Sequence, residues 1–313
     1  MTFTRRRFLN TSLAAAPLLL GSSALPRPLL AATPASLDWQ SLGRDGLALI
    51  EGAGGNVLVL AGRDGVALID GGSVDSVGSV LATVEQQTGK LPSLLFNSHC
   101  HRDQIGCNAV LGAAGATIIA HENTRLWLTT EILSKWEQQV YPPLPASALP
   151  NKTFYYDSET IDFNGKLTYG YLPQAHTDGD IYVHLPERNL LFVGDVVSVG
   201  RYPLCDFSTN GWIGGMINSL NQLLALCDDN TRVIASSGIA DKAHVQKQLE
   251  LCSAVADKLG TALYQGSSLP EFLASKPTAD FDAAWGNADL FLRTAWEGTL
   301  PHVTEIRRFG RRA

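Results

Sequence analysis

The strongest constraint on the fold is a series of short apolar runs separated by turns that are rich in glycine. In the first half of the chain the runs lie at residues 47–50, 56–60 and 66–69, and the turns lie at residues 52–55 and 62–65. Runs of this length that end in turn residues are typical of β-strands, and the short connections favour an antiparallel meander. This part of the chain is therefore predicted to form a sheet.

Helices and strands are then predicted to alternate, and the second half repeats the plan of the first. Apolar side chains recur at helical spacing in residues 73–88, a buried strand follows at 94–96, and another helix is predicted after Asp103. Later strands are predicted at residues 116–120, 167–172, 181–185, 190–193 and 233–235, and later helices at residues 213–226 and 242–259. This plan favours two sheets packed face to face with helices outside, an α/β fold of four layers.

Residues 1–32 have the composition of an export signal. Arginines at 5–7 precede an apolar run at 13–20 that is too short to span a membrane. The arginines, with Phe8 and Leu9 behind them, are similar to a twin-arginine signal, which the twin-arginine export machinery reads. The alternative is a basic leader without that role.

Signal cleavage would follow Ala24, Ala32 or Ala35. The product is expected in the periplasm, or otherwise exported, with no stable membrane anchor after signal removal. Residues 33–313 are predicted to form a single domain, in which residues from about 260 to 313 are a helical annex.

The charge balance points to a small-molecule substrate. Residues 1–32 hold four of the 24 basic residues and no acidic ones, so the rest carries 20 basic residues against 30 acidic ones, a net charge of −10. Nucleic-acid-binding proteins usually carry a basic surface, so we expect no nucleic-acid partner.

Five cysteines occur without CxxC spacing, and their odd number leaves at least one thiol unpaired within the chain. They are Cys100, Cys107, Cys205, Cys227 and Cys252. Cys227 and Cys252 are expected to lie buried on helices, as free cysteines commonly do.

Histidines and carboxylates follow the ends of several predicted strands. His99, His101 and Asp103 come after the strand at 94–96, His176 comes after the strand at 167–172, and Asp195 comes after Phe192-Val193-Gly194. Imidazole is the commonest neutral metal ligand, and three histidines with an open position are the ligand set of catalytic zinc, which lowers the pKa of a bound water to about 7. The sequence therefore predicts a hydrolytic zinc site.

These motifs follow one another in the chain, each just after an apolar strand, and in this arrangement they resemble the motifs of the metallo-β-lactamase superfamily over residues 45–260. The resemblance implies the four-layer αβ/βα sandwich, with His99, His101, His176, Asp195 and Asp103 as candidate metal ligands. Two positions depart from the family pattern. The last histidine of HxHxDH is Gln104, and the later Gly-His-Gly turn reads Ser236-Ser237-Gly238.

Both missing histidines belong to the second metal site of the family. What remains is Asp103, Asp195 and the Gln104 amide, and an all-oxygen set suits hard cations better than zinc. We therefore expect one zinc ion per chain, with a second ion weakly bound or absent. Cys100 or Cys205 is an alternative thiolate ligand, although Cys100 alternates with the histidines and is expected to point away.

Asp103 is predicted to be the catalytic residue, as a general base or as a hydrogen-bond acceptor for the zinc-bound water. The alternative is that it orients His99 or His101. The predicted function is zinc-dependent hydrolysis of an amide, ester or lactone. The alternative is a catalytically degenerate binder of metal or ligand, such as an accessory to a periplasmic redox or sulfur-oxidation system.

Further motifs resemble an exported, hydrolase-like branch of the superfamily. They include residues 120–125, in which His121 is predicted to start a helix and not to bind metal, and residues 200–203 and 276–282. Residues 136–152 are rich in proline. They are interpreted as a solvated connection, with a flap over the site as the alternative.

Overall fold

The computed structural model describes residues 37–43 and 46–306. The predicted export signal, residues 1–32, lies outside the described residues. The single-domain boundary at residue 33 stays a prediction.

The first sheet has seven strands, which lie in the order β1-β2-β3-β4-β5-β6-β9. The strands β2, β3 and β4 form the predicted antiparallel meander, whereas β5, β6 and β9 each pair in parallel with the strand before them in the sheet. The bounds are β1 Asp38–Ser41, β2 Leu47–Glu51, β3 Val57–Gly62, β4 Gly65–Ile69, β5 Leu94–Phe96, β6 Thr117–His121 and β9 Lys152–Phe154.

The second sheet has six strands in the order β10-β11-β12-β13-β14-β15. All neighbouring strands are antiparallel except β13 and β14. The bounds are β10 Ser158–Asp162, β11 Lys166–Tyr171, β12 Ile181–Leu185, β13 Leu190–Gly194, β14 Arg232–Ala235 and β15 Gly238–Ala240. A separate hairpin consists of β7 (Ile132–Ser134) and β8 (Gln139–Tyr141).

Alternate residues of a strand face opposite sides of its sheet, and this period divides the apolar residues of the first sheet between a central core and an outer core. In β3, Leu58 and Leu60 face a central core between the two sheets, whereas Val57 and Val59 face an outer core. Phe96 from the first sheet meets Tyr169 from the second in the central core, with ring centroids 5.2 Å apart.

The helices cover the outer faces of the two sheets. Their bounds are α1 Val77–Thr88, α2 Asn108–Ala113, α3 Glu122–Leu128, α4 Ile213–Leu226, α5 Lys242–Gln265, α6 Leu269–Ala274, α7 Asp282–Trp285, α8 Asp289–Thr299 and α9 Val303–Ile306. Helices α1 and α2 pack on the first sheet, and α4, α5 and α8 pack on the second. The predicted four-layer α/β sandwich is thereby confirmed.

Several elements differ from the sequence prediction. The helix predicted after Asp103 begins only at Asn108, and the helix predicted at 242–259 continues to Gln265. His121 caps α3 by accepting a hydrogen bond from Asn123 N at 3.2 Å, as predicted for a helix start. All five cysteines are buried and unpaired; Cys252 lies on α5, whereas Cys227 follows α4 rather than lying on it.

Within residues 37–43 and 46–306, none of the helices combines the length and the hydropathy that a membrane span requires.

Candidate metal centre

The three histidines meet at one edge of the sandwich. His99 and His101 follow β5, His176 follows β11, and a backbone hydrogen bond of 2.9 Å from Ile181 N to Ser98 O joins the two sheets there. One ring nitrogen of each histidine lies within 4.8 Å of those of the other two. Within the described part of the chain this trio is the one group of His, Cys, Asp and Glu side chains close enough together to hold a metal ion.

Neighbouring groups decide which nitrogen of His99 is free. Ser98 Oγ donates to Asp70 Oδ2 at 2.6 Å and lies 2.9 Å from His99 Nδ1. Because the serine proton points to Asp70, the serine oxygen accepts the Nδ1 proton of His99. His99 Nε2 then carries the lone pair, and it is buried without a hydrogen-bond partner among the described residues.

The other two histidines are oriented by the loop that precedes α4. His101 Nε2 donates to Asp206 Oδ2 at 2.9 Å, which leaves the lone pair on Nδ1. His176 Nδ1 donates to Leu204 O at 2.9 Å, which leaves the lone pair on Nε2. These two free nitrogens lie 3.1 Å apart, where two lone pairs repel unless a proton or a cation lies between them.

The donor set therefore fits a metal ion. Each of the three imidazoles turns one ring nitrogen toward the same point and is held there by a hydrogen bond from its other nitrogen, and such partners are the usual support of metal-binding histidines. Burial and the nearby His101 lower the pKa of His176, and burial followed by the charges of His101 and His176 lowers the pKa of His99 well below its usual value. Both rings are therefore available as neutral ligands.

Asp206 raises the pKa of His101, in contrast to the lowered pKa values of His99 and His176. Burial alone would lower the pKa of His101, but the hydrogen bond and negative charge of Asp206 raise that pKa to about 9. Burial opposes ionisation of Asp206, yet the hydrogen bond and charge of His101 lower the Asp206 pKa to about 2. Without a competing metal, the two side chains therefore form an ion pair between about pH 2 and pH 9.

The two predicted carboxylates lie beside the trio but are not part of it. Asp195 Oδ2 lies 3.5 Å from His99 Nε2, and Asp195 Oδ1 lies 3.4 Å from the guanidinium of Arg201. Asp103 borders the cavity at His101. Asp103 is exposed to the cavity, but the protein around its carboxyl removes part of its hydration. This desolvation raises the pKa of the carboxyl, and the negative charge of Asp195 raises it further. The predicted roles of both residues, as ligands or as a general base, stay predictions.

Gln104 and Ser237, at the two positions that depart from the family pattern, lie in different surroundings. The Gln104 side chain is buried against Gly55, and its Oε1 has no hydrogen-bond partner among the described residues. Ser237 Oγ accepts a hydrogen bond of 2.9 Å from Val199 N. Cys100 and Cys205, the alternative thiolates, lie outside the trio, and burial raises the pKa of both thiols well above the usual range.

A cavity of about 320 Å³ opens beside His101, and the β7–β8 hairpin forms one of its walls. Arg102, Asp103, Ser134, Trp136 and Tyr141 are among the residues that line it. Trp136 Nε1 donates to Asp206 Oδ1 at 3.1 Å, and the ring centroids of Trp136 and His101 are 6.3 Å apart. Trp136 and Tyr141 thus line the cavity, whereas residues 137–140 are exposed, so the interpretation of residues 136–152 as a solvated connection and the alternative of a flap both stay predictions.

Asp206 is a site residue that the sequence did not indicate. It does not follow a strand, and its side chain accepts from Ser208 N at the start of the turn Phe207–Thr209, as a capping residue does. For Trp136 the sequence allowed a pocket residue but favoured a core residue. Only the tertiary contacts identify both as neighbours of His101.

A family model of the metallo-β-lactamase superfamily matches residues 50–238, more than half of the chain, and this segment includes all three histidines. The chain belongs to the metallo-β-lactamase superfamily. No curated protein sequence matches the chain well enough to count as a relative.

Solved metallo-β-lactamases share the fold. The enzyme from Erythrobacter litoralis is 19% identical with a TM-score of 0.55, covering 70% of this chain and 96% of that one. The enzyme from Hirschia baltica is 19% identical with a TM-score of 0.55, covering 69% and 97%. FIM-1 from Pseudomonas aeruginosa, in its mono-zinc form, is 15% identical with a TM-score of 0.56, covering 71% and 97%. At these identities the likeness shows the fold alone.

Proposed function

We propose that this member of the metallo-β-lactamase superfamily is a zinc-dependent hydrolase that acts on an amide, ester or lactone bond of a small molecule. The observation that carries the proposal is the convergence of three imidazole nitrogens beside an open cavity, with each ring fixed by its other nitrogen. The superfamily typically comprises hydrolases, which supports the reaction class.

The three histidines are enough to bind one zinc ion. His99, His101 and His176 would hold it, and the glutamine and serine at positions 104 and 237, where the family has histidines, support the absence of a second zinc ion. The mono-zinc form of the Pseudomonas aeruginosa enzyme supports a site of this kind on the same fold. A zinc ion held by three histidines supplies a Lewis acid that polarises a carbonyl group and lowers the pKa of water.

Side chains of this chain would supply proton transfer, orientation of the ligands and binding of the substrate. Asp103 borders the cavity, and its raised pKa makes its carboxylate a better acceptor for the proton of the attacking water. Asp206 keeps His101 in one tautomer throughout. Trp136 and Tyr141 give the cavity aromatic walls against which an apolar part of the substrate packs.

We place this activity in the periplasm or otherwise outside the cytoplasm, because residues 1–32 are similar to a twin-arginine signal. The substrate would then be a compound met outside the cytoplasm, β-lactams among them.

The test is metal content together with hydrolysis. The chain, purified without added metal, is analysed for bound elements and then assayed on β-lactam, lactone and ester substrates. We expect about one zinc per chain and chelator-sensitive hydrolysis, both lost in His176→Ala. The matched control is His184→Ala, which removes a half-buried histidine of β12 outside the trio.

The outcomes separate the two functions considered from the sequence. Absence of metal from the wild type would contradict the hydrolase. One zinc per chain without hydrolysis of any substrate class would favour the catalytically degenerate binder, for which the loss of ligands at Gln104 and Ser237 is the supporting observation.

A further inference from the structure

Two of the three histidines are oriented by one stretch of chain, the loop at residues 196–212. Its Leu204 O accepts from His176 Nδ1, and its Asp206 Oδ2 accepts from His101 Nε2. The backbone of Asp206 also donates to His176 O at 2.7 Å. Any shift of this loop therefore turns two imidazole rings at once.

Helix α5 holds the beginning of the loop through the fully buried side chain of Gln248. The Gln248 amide accepts from Ser198 N at 2.9 Å and donates to Val196 O at 2.8 Å. From the same helix, His244 Nε2 bonds Ser198 O at 2.7 Å. The family model ends at residue 238, so these contacts come from outside the segment that defines the superfamily.

The middle of the loop is held by a hydrogen bond between two motifs that the function leaves unexplained. Tyr202, from the motif at 200–203, donates its hydroxyl to Asp282 Oδ1 at 2.7 Å, and Asp282 ends the motif at 276–282. The Tyr202 ring is buried and stacks on Phe291 of α8, with centroids 5.4 Å apart and planes at 14°.

The end of the loop packs against the last helices. Trp212 stacks on His302 with centroids 4.1 Å apart. A Cβ atom at Gly298 of α8 would lie 2.7 Å from Gly211 O, so glycine at this position lets the helix rest directly on the loop backbone. Gly211 N in turn donates to Asp206 O at 2.9 Å.

We propose that Gln248, Tyr202 and Asp282 are positioning residues of the metal centre, through which the C-terminal helices set the orientation of His101 and His176. The inference rests on the proposed function in that it assumes a metal at the trio. Partners beyond the direct ligands commonly change metal affinity 10- to 100-fold because they fix the ligand orientation. Here that support comes from helices α5 to α8.

The test uses zinc alone as the probe and the full chain. Zinc affinity is measured by competition with a chromophoric chelator for wild type, Tyr202→Phe, Asp282→Ala and Asp282→Asn. Tyr202→Phe keeps the stacked ring and removes only the hydroxyl, and Asp282→Asn keeps an oxygen that accepts from Tyr202. The matched control is Tyr169→Phe on β11, which removes the hydroxyl of another buried tyrosine that donates to a carboxylate, Glu159 Oε2 at 2.7 Å.

We expect Tyr202→Phe and Asp282→Ala each to raise the zinc dissociation constant about 10-fold. Asp282→Asn and Tyr169→Phe should stay within about twofold of wild type, and the double variant Tyr202→Phe/Asp282→Ala should be no weaker than either single variant, because both remove one interaction. The visible spectrum of the cobalt(II) form should change in the same two single variants and not in Tyr169→Phe.

Zinc affinity in Tyr202→Phe within twofold of wild type, with an unchanged cobalt spectrum, would overturn the inference and leave the proposed function intact. If Asp282→Ala does not fold, Tyr202→Phe decides alone. A wild type that binds zinc but hydrolyses nothing contradicts the proposed function, whereas the affinities of the variants still decide this inference. A wild type that binds no zinc overturns both.

Discussion

Asp206 Oδ2 lies 2.9 Å from His101 Nε2, and this buried carboxylate also accepts hydrogen bonds from Trp136 Nε1, Ser208 N and Thr209 Oγ1. The carboxylate is therefore fixed by three donors before it acts on the histidine. A carboxylate held in this way decides both the tautomer and the basicity of the ring that it faces.

Asp206→Ala should lower zinc affinity by about 10- to 100-fold, because His101 loses the acceptor that fixes its tautomer. Chelator competition measures the change. Asp229→Ala, which removes an exposed carboxylate paired with Lys242, serves as the control and should bind zinc like the wild type. Equal affinities in the two variants would contradict the role assigned to Asp206.

Zinc binding near pH 7.5 should release about one proton per chain from His101, in addition to the proton that a zinc-bound water with a pKa of about 7 gives up. His101 has a pKa of about 9 in the metal-free protein and is protonated at that pH, whereas the lowered pKa values of His99 and His176 leave those rings neutral. The His101 contribution should fade as the pH rises through about 9, because that proton is then already lost. Calorimetry in two buffers with different ionisation enthalpies counts the protons, and a pH-independent count would contradict the assignment.

Asp103→Asn should reduce the rate of hydrolysis by about 10²- to 10⁴-fold while zinc content stays near one per chain, because the amide cannot accept a proton. Elemental analysis and steady-state kinetics on the same preparation separate the two effects. Loss of the zinc together with the activity would instead identify Asp103 as a ligand.

Gly211→Ala should destabilise the chain by about 2 kcal/mol or more, because the added Cβ would overlap the carbonyl group of His176. Gly78 offers the opposite case, since it lies exposed on α1 with no atom within 4 Å of a new Cβ. Gly78→Ala should therefore stabilise the chain by about 0.5 to 1 kcal/mol. Thermal unfolding should shift in opposite directions in the two variants.

Cobalt(II) should quench the tryptophan fluorescence of the wild type, and most of the quenching should be lost in Trp136→Phe. The chain has six tryptophans, and Trp136 lies with its ring 6.3 Å from that of His101. Trp39→Phe, on the edge strand β1, should leave the quenching nearly unchanged. Equal quenching in both variants would show that the hairpin does not lie beside the metal.

The sequence predicted the elements whose signals are local. The meander of β2 to β4, the helix at Ile213–Leu226 and the convergence of the three histidines all follow from short periodic patterns and from residues at strand ends. The β7–β8 hairpin was missed because its strands have three residues each and its turn uses Gln138 at a φ of 57°, where a glycine or asparagine would have signalled a turn. Asp206 was missed because its partners come from distant parts of the chain.

The placement of Gln248 has a consequence for how this protein could be divided. A chain that stopped after β15 would keep all three histidines and all of the segment that the family model matches, but Ser198 N and Val196 O would lose their buried partner. Buried backbone groups without partners cost free energy, so the shortened chain would relax at the loop that holds two of its ligands. The smallest unit that holds all three histidines in place is therefore larger than the segment that the family model matches.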